Sequence, residues 1–224
     1  MNNSLRYLAA AVLAATSFAA SAAVTITEVA PWSSGNSPVG ADWFELTNTG
    51  SSAVDITGWK VDDSSNSFGA AAVLNGITSI AAGQSVIFLE GNAAKTELFK
   101  TNWFGGSVPA GLAVGYYSGS GIGLSTSNDA LNIFNASGVV QANVTFGASD
   151  STSPFQSFDN AAGLNNSAVS QLSVVGTNGA FVAANSAIEV GSPGSIAAVP
   201  EPETYAMLLA GLGVVGAVAR KRQR

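Results

Sequence analysis

The chain has no cysteine and no histidine among its 224 residues. Disulfide frameworks, Cys/His zinc sites, thiol nucleophiles and imidazole bases are thereby excluded. Charge is scarce as well. Asp, Glu, Lys and Arg make up 10% of the chain, against about 25% in ordinary soluble proteins. Any chemistry would have to run on carboxylates, hydroxyls or lysine. The length fits one domain of ordinary size, or two small ones, with sorting segments added. Apolar residues reach 47%, and Ser, Thr, Asn and Gly stand where charge would normally be. Such a composition points toward an exported, non-catalytic protein.

The first 22 residues read as a secretory signal. Arg6 supplies the positive start, and Tyr7 to Ala15 is an apolar run, far short of the roughly 20 residues a spanning helix needs. Ala20-Ser21-Ala22 then fits the small-x-small rule of signal peptidase, with the cut before Ala23 or one residue later.

The other end has three parts: Val199-Pro200-Glu201-Pro202-Glu203, an apolar run from Tyr205 to Ala219, and Arg220-Lys221-Arg222-Gln223-Arg224. The prolines stiffen an acidic, non-helical element. The run that follows, with Leu208, Gly211 and Val214 along it, reads as a short hydrophobic helix. The basic residues act as a stop that stays in the cytoplasm. Gly211, Gly213 and Gly216 each weaken the helix by up to about 1 kcal/mol. A short, weak anchor suits a transient hold in the inner membrane. This order of parts resembles the PEP-CTERM tail of Gram-negative bacteria. The resemblance implies that an exosortase reads Val199, Pro200, Glu201 and Pro202 and removes the tail, so that the protein ends at the cell surface or in the extracellular matrix.

Between the two ends, residues 23–199 keep Lys60, Lys95 and Lys100, no arginine, and twelve carboxylates, a net charge of minus nine. Binding duplex DNA requires neutralising several phosphates, so nucleic acid is not an expected partner. The same charge repels anionic lipid and favours divalent cations or neutral surfaces.

The body reads as short strands separated by turns. Val24 to Val29 is a β-branched run ended by Pro31. In Asp42 to Asn48, Phe44 and Leu46 share one face while Trp43 and Glu45 take the other. Val54–Ile56 and Gly58–Asp62 are expected to form a broken strand pair. Ile77–Ile80 and Ser85–Glu90 read as strand, turn, strand. Asp129–Asn135 and Val139–Phe146 make a hairpin across Ala136-Ser137-Gly138. Ala93 to Trp103 is the one expected helix, with Leu98, Phe99 and Trp103 on a common face. This pattern predicts an all-β, antiparallel β-sandwich.

Three stretches give that prediction a family. Ile26-Thr27-Glu28-Val29, Asp42-Trp43-Phe44-Glu45-Leu46-Thr47-Asn48 and Val54-Asp55-Ile56-Thr57-Gly58-Trp59-Lys60-Val61 resemble the lamin-tail domain, an immunoglobulin-like sandwich of nuclear lamins and exported bacterial proteins. Leu131-Asn132-Ile133-Phe134 with Gly138-Val139-Val140 is similar to the closing hairpin of that family. The resemblance covers residues 23–147 and implies a binding or adaptor module with no catalytic set. Residues 148–199 are rich in Ser, Asn and Gly, with Gln171–Val175 as their strand. They read as an extension that adds a strand or two and then becomes a spacer to the sorting signal at 200–224.

The side chains that invite a chemical reading are few. Glu28 and Glu45 occupy matching places on neighbouring strands. As a pair they suggest a hydrolase of extracellular polysaccharide or phosphoester; the alternative is that each accepts hydrogen bonds from turn amides. Asp62, Ser64 and Asn66 have the alternating oxygens that open a calcium loop, but Ser67 and Val73 stand where an EF-hand requires glycine and glutamate. A calcium-dependent adhesive module built on Asp62 and Asp63 is therefore an alternative, set against a plain solvated turn. Trp43, opposite Phe44 and Leu46, is the candidate exposed platform for sugars. The resulting expectation is an exported surface or exopolysaccharide-matrix protein without catalysis or cofactor, partnered by its processing enzymes and by exopolysaccharide or surface proteins.

Overall fold

A computed structural model of the chain describes residues 24–119, 121–150, 152–159, 168–195 and Gly211. The signal-cleavage residues Ala20, Ala22 and Ala23 lie outside the described residues. So do Val199 to Pro202, Tyr205, Leu208, Val214, Ala219 and the basic stop; Gly211 is helical and exposed.

The first half of the body contains β1 (Val24–Ala30), α1 (Ser33–Asn36), β2 (Trp43–Asn48), β3 (Val54–Asp55), β4 (Lys60–Asp62), β5 (Ala72–Val73), β6 (Ser79–Ile80) and β7 (Ser85–Glu90). Then come α2 (Ala93–Phe104), β8 (Ala113–Tyr117), β9 (Asp129–Phe134) and β10 (Val140–Phe146). The last part adds β11 (Phe155–Gln156), β12 (Phe158–Asp159), β13 (Ala168–Val169), β14 (Phe181–Val182) and β15 (Glu189–Gly191).

Two five-stranded sheets form the sandwich, one in the order β12-β1-β2-β7-β8 and the other β13-β10-β9-β4-β5. Pairing is mostly antiparallel, with β7–β8, β10–β13 and β11–β15 parallel. Period-two alternation turns Ile26, Phe44, Leu46, Val86 and Phe88 of the first sheet toward Val61, Leu131, Ile133 and Val144 of the second, where they make the main core. Phe44 stacks on Phe88 with ring centroids 5.7 Å apart.

The outer face of the first sheet is covered too. Trp43, Ile87 and Leu89 project there and meet Phe99 and Trp103 of α2, together with Trp32, Phe155 and Ala183. Trp43 meets Trp103 edge to face, centroids 5.5 Å apart. The chain after β10 closes this layer. β12 and β13 extend one edge of each large sheet, and β11, β14 and β15 form a separate three-stranded sheet. The indole N–H of Trp32 donates to the Gln156 carbonyl at 2.9 Å, tying the start of the body to this late segment. Folded chain continues to Ser195, with Ser192 and Pro193 buried, so any spacer begins after Ser195.

Several expectations are corrected. β3 and β4 do not form a pair, because β3 bonds to β6 while β4 joins β9 and β5. The turn between them, closed by Thr57 N–H on Asp55 and by Gly58 at a φ of 74°, redirects the chain from one pairing to the other. On α2, Leu98 is 54% exposed, and the buried stripe is Thr96, Phe99, Asn102 and Trp103. Of the expected strand Gln171–Val175, Leu172 alone bridges, to Phe158. Trp43 is 0% exposed, so it offers no platform to a sugar. Its alternation is as expected, but the face it occupies lies under α2 and the late segment. Truncating a fully buried tryptophan leaves a large cavity, so Trp43→Ala should cost about 3–5 kcal/mol, read as a lower urea midpoint; an unchanged midpoint would contradict this packing.

Candidate functional site

Glu28 and Glu45 are brought together. They are direct cross-strand partners in β1 and β2, and Glu28 is also in register with Asp159 of β12. A β-bulge at Thr27 makes this possible. The register slips between Ile26 and Glu28, so Thr27 and Glu28 both turn outward while Val29 returns to the main core. The result is a row of carboxyl side chains across the middle of the outer face.

That row is sealed. Glu28 is 1% exposed and Glu45 0%. Glu28 Oε1 accepts from the Ser157 hydroxyl and from the Ser192 amide at 2.7 Å, and Oε2 accepts from the Ser192 hydroxyl at 3.2 Å. Glu45 Oε2 accepts from the Gly194 amide at 2.6 Å. Glu45 Oε1 accepts from the Thr27 hydroxyl at 2.6 Å, the first member of a hydroxyl chain through Thr47 to Ser85. Gly191 passes so close that a Cβ there would lie 2.6 Å from Glu28 Oε1 and 2.9 Å from the Trp103 ring. Two residues before Gly191, Glu189 is also buried, with its Oε2 held by the Asn102 amide at 2.7 Å.

Burial dominates the electrostatics. Desolvation pushes the Glu28 carboxyl well up from its ordinary value, helped by the charge of Glu45. It pushes Glu45 from 4.5 to about 7, against the pull of the Thr27 and Gly194 donors and with a small push from Asp159. Asp42, at the head of β2, is likewise raised by burial to about 7. The ion pair among the described residues is Lys100–Glu97 on α2, so no lysine neutralises Glu28 or Glu45. Two such carboxyls can share a proton, but under this cover they present no surface to a substrate. They act as acceptors for turn amides.

The Asp62 loop also closes on itself. Asp62 Oδ2 accepts from the Ser65 hydroxyl and the Ser67 amide, both at 2.6 Å, and Asp62 is buried. Asp63 accepts from the Ser65 amide at 2.8 Å. Ser64 donates its amide to Asp129, and Asn66 sits at a φ of 48°. Among the described residues no group of three or more acidic side chains is placed to hold a metal ion. Sequence reasoning missed Ser157, Ser192 and Gly194. Two of these act through backbone N–H groups, which leave no mark in the sequence.

The model of the Lamin Tail Domain matches residues 17–148, more than half of the chain. The chain belongs to the lamin tail domain family. Its body is thus an immunoglobulin-like, all-β module of a non-catalytic kind. The PEP-CTERM protein-sorting motif matches residues 198–223, which marks the protein for processing by exosortase and for the cell surface or extracellular space. No curated protein matches this chain. The lamin tail domain match ends before the late segment, and that segment supplies every long-range donor to Glu28 and the Gly194 amide to Glu45.

The raised carboxyls fix the sign of the pH dependence. The folded protein keeps a proton on Glu45 that the unfolded chain gives up above about 4.5, so the contribution of Glu45 to stability should fall as pH rises from about 4.5 to about 7 and then level off, with raised Glu28 and Asp42 adding losses of the same sign. At about 1.4 kcal/mol per pH unit, Glu45 is responsible for a loss on the order of 3 kcal/mol. Glu45→Gln keeps an acceptor for Gly194 without the charge. It should melt about 5–10 °C above wild type at pH 8 and close to it at pH 5. A Gln variant less stable than wild type at pH 8 would refute this account.

Proposed function

We propose that this protein is a non-catalytic component of the cell surface or exopolysaccharide matrix, with the lamin tail domain as its binding or structural module. In this reading the first 22 residues direct export and are removed by signal peptidase. The apolar run from Tyr205 to Ala219 holds the chain at the inner membrane, with Arg220, Lys221, Arg222 and Arg224 on the cytoplasmic side. Exosortase then cuts near Pro200 and the folded body passes outward. The observation that carries this reading is the sorting motif at 198–223 attached to a body whose most reactive side chains are sealed inside it.

The competing hydrolase reading needs Glu28 and Glu45 to meet substrate and water in a cleft. Their burial under Ser157, Ser192 and Gly194 favours a structural role. The net negative, weakly charged body suits neutral glycans or other surface proteins better than anionic partners. No metal or cofactor enters this reading.

The sorting step is tested by replacing Pro200, Glu201 and Pro202 with alanine in the full chain. The variant should accumulate cell-bound at a mass that retains the Arg-rich end, while wild type appears outside without it. A variant that reaches the surface at the wild-type mass would refute the sorting reading.

A further inference from the structure

The last described turn of the body and the first residues of the sorting signal are almost adjacent in sequence. Ser195 closes a turn by donating its amide to the Ser192 carbonyl at 2.8 Å, and the sorting motif begins at residue 198. Pro200 is five residues past Ser195. A fully extended chain spans at most about 3.6 Å per residue, so Pro200 can stand no more than about 18 Å from Ser195. A domain of this size has a radius of gyration on the order of 15 Å. An enzyme that must close around Pro200-Glu201-Pro202 at the membrane therefore meets the body itself while the turn is seated.

What seats the turn is the carboxyl pair. Between Gly191 and Ser195 the strap is held by the Ser192 amide and hydroxyl on Glu28 and by the Gly194 amide on Glu45. The strap is buried through Pro193, but its backbone pairing to the rest of the fold is short. β15 is three residues long, and it pairs through Phe155↔Glu189, Gln156↔Val190, Phe181↔Gly191 and Val182↔Val190. A pairing this short, near the end of the described body and flanked by exposed Val182 and Ile188, can open without the large sheets unfolding.

We infer that Glu28 and Glu45 form a clasp that withholds the sorting signal from exosortase, and that release of the strap from Ser192 onward pays out the chain needed for processing. Release adds four residues, which lengthens the reach of Pro200 from about 18 to about 32 Å. No covalent bond changes in this release. Glu28 and Glu45 are positioning residues for another enzyme's reaction, and the inference rests on the sorting reading above.

The test follows loss of the tail by pulse-chase of the full chain in an exporting host that contains the exosortase. Wild type is compared with Glu45→Ala, with a four-residue Gly-Ser insertion after Ser195, and with both changes together. The inference expects each single change to shorten the half-life of the unprocessed form several-fold, and the combination to add little. The insertion leaves the clasp and the body untouched, so it decides the matter even if Glu45→Ala fails to accumulate. Hydrogen exchange on the same proteins should show the Ser192 and Gly194 amides losing protection in Glu45→Ala while β2 and β7 keep theirs. If wild type is processed and the insertion variant is no faster, the clasp inference is overturned and the sorting reading stands. If no form is processed, wild type included, both fall.

Discussion

Two carboxyl groups placed side by side inside a protein with no cation to neutralise them must be given donors or kept protonated. Glu28 and Glu45 have this problem because the bulge at Thr27 turns Glu28 onto the face that Glu45 already occupies. The donors come from far along the chain: the Ser157 hydroxyl, the Ser192 amide and hydroxyl, and the Gly194 amide. The chain after β10 must therefore fold back over the first sheet. Once it does, Trp32, Trp43 and Trp103 gain the cover that makes the second hydrophobic layer.

The arrangement explains how a lamin tail domain can carry carboxylates at matching strand positions that serve as acceptors inside the fold. A hydrolytic pair needs room for substrate and water, whereas this pair is filled by backbone. It also gives the late segment a purpose that its Ser- and Asn-rich composition conceals. The segment is the lid of the sheet, and its final described turn, at Ser192 to Ser195, lies three residues before the start of the sorting motif.

Much of the sandwich was legible in the sequence because strand patterning is local. Val24 to Ala30, Trp43 to Asn48, Ser85 to Glu90 and the β9–β10 hairpin announce themselves by alternation and turn residues, and the structure places them within a residue or so of the expected bounds. The tripartite tail was legible for the same reason, since its proline box, apolar run and basic stop are contiguous. The expectations that failed were about what covers what. Trp43 opposes Phe44 as alternation requires, yet nothing near it in sequence announces a cover drawn largely from α2 and from residues beyond 150. Leu98 reads as a core residue by type, but the stripe facing the sheet runs through Thr96 and Asn102 instead. The seal on Glu28 and Glu45 was the least legible part. Backbone amides do much of the capping, and any residue can supply an amide.

The intact mass of the extracellular protein tests the central claim most directly, because it reports both ends of the mature chain at once. The account predicts a chain that begins near Ala23 and ends after Ser195 but before Tyr205, so that the strap still caps Glu28 and Glu45 and the arginine-rich end is gone. A mature form ending before Ser192, or one that still carries Arg224, would contradict it.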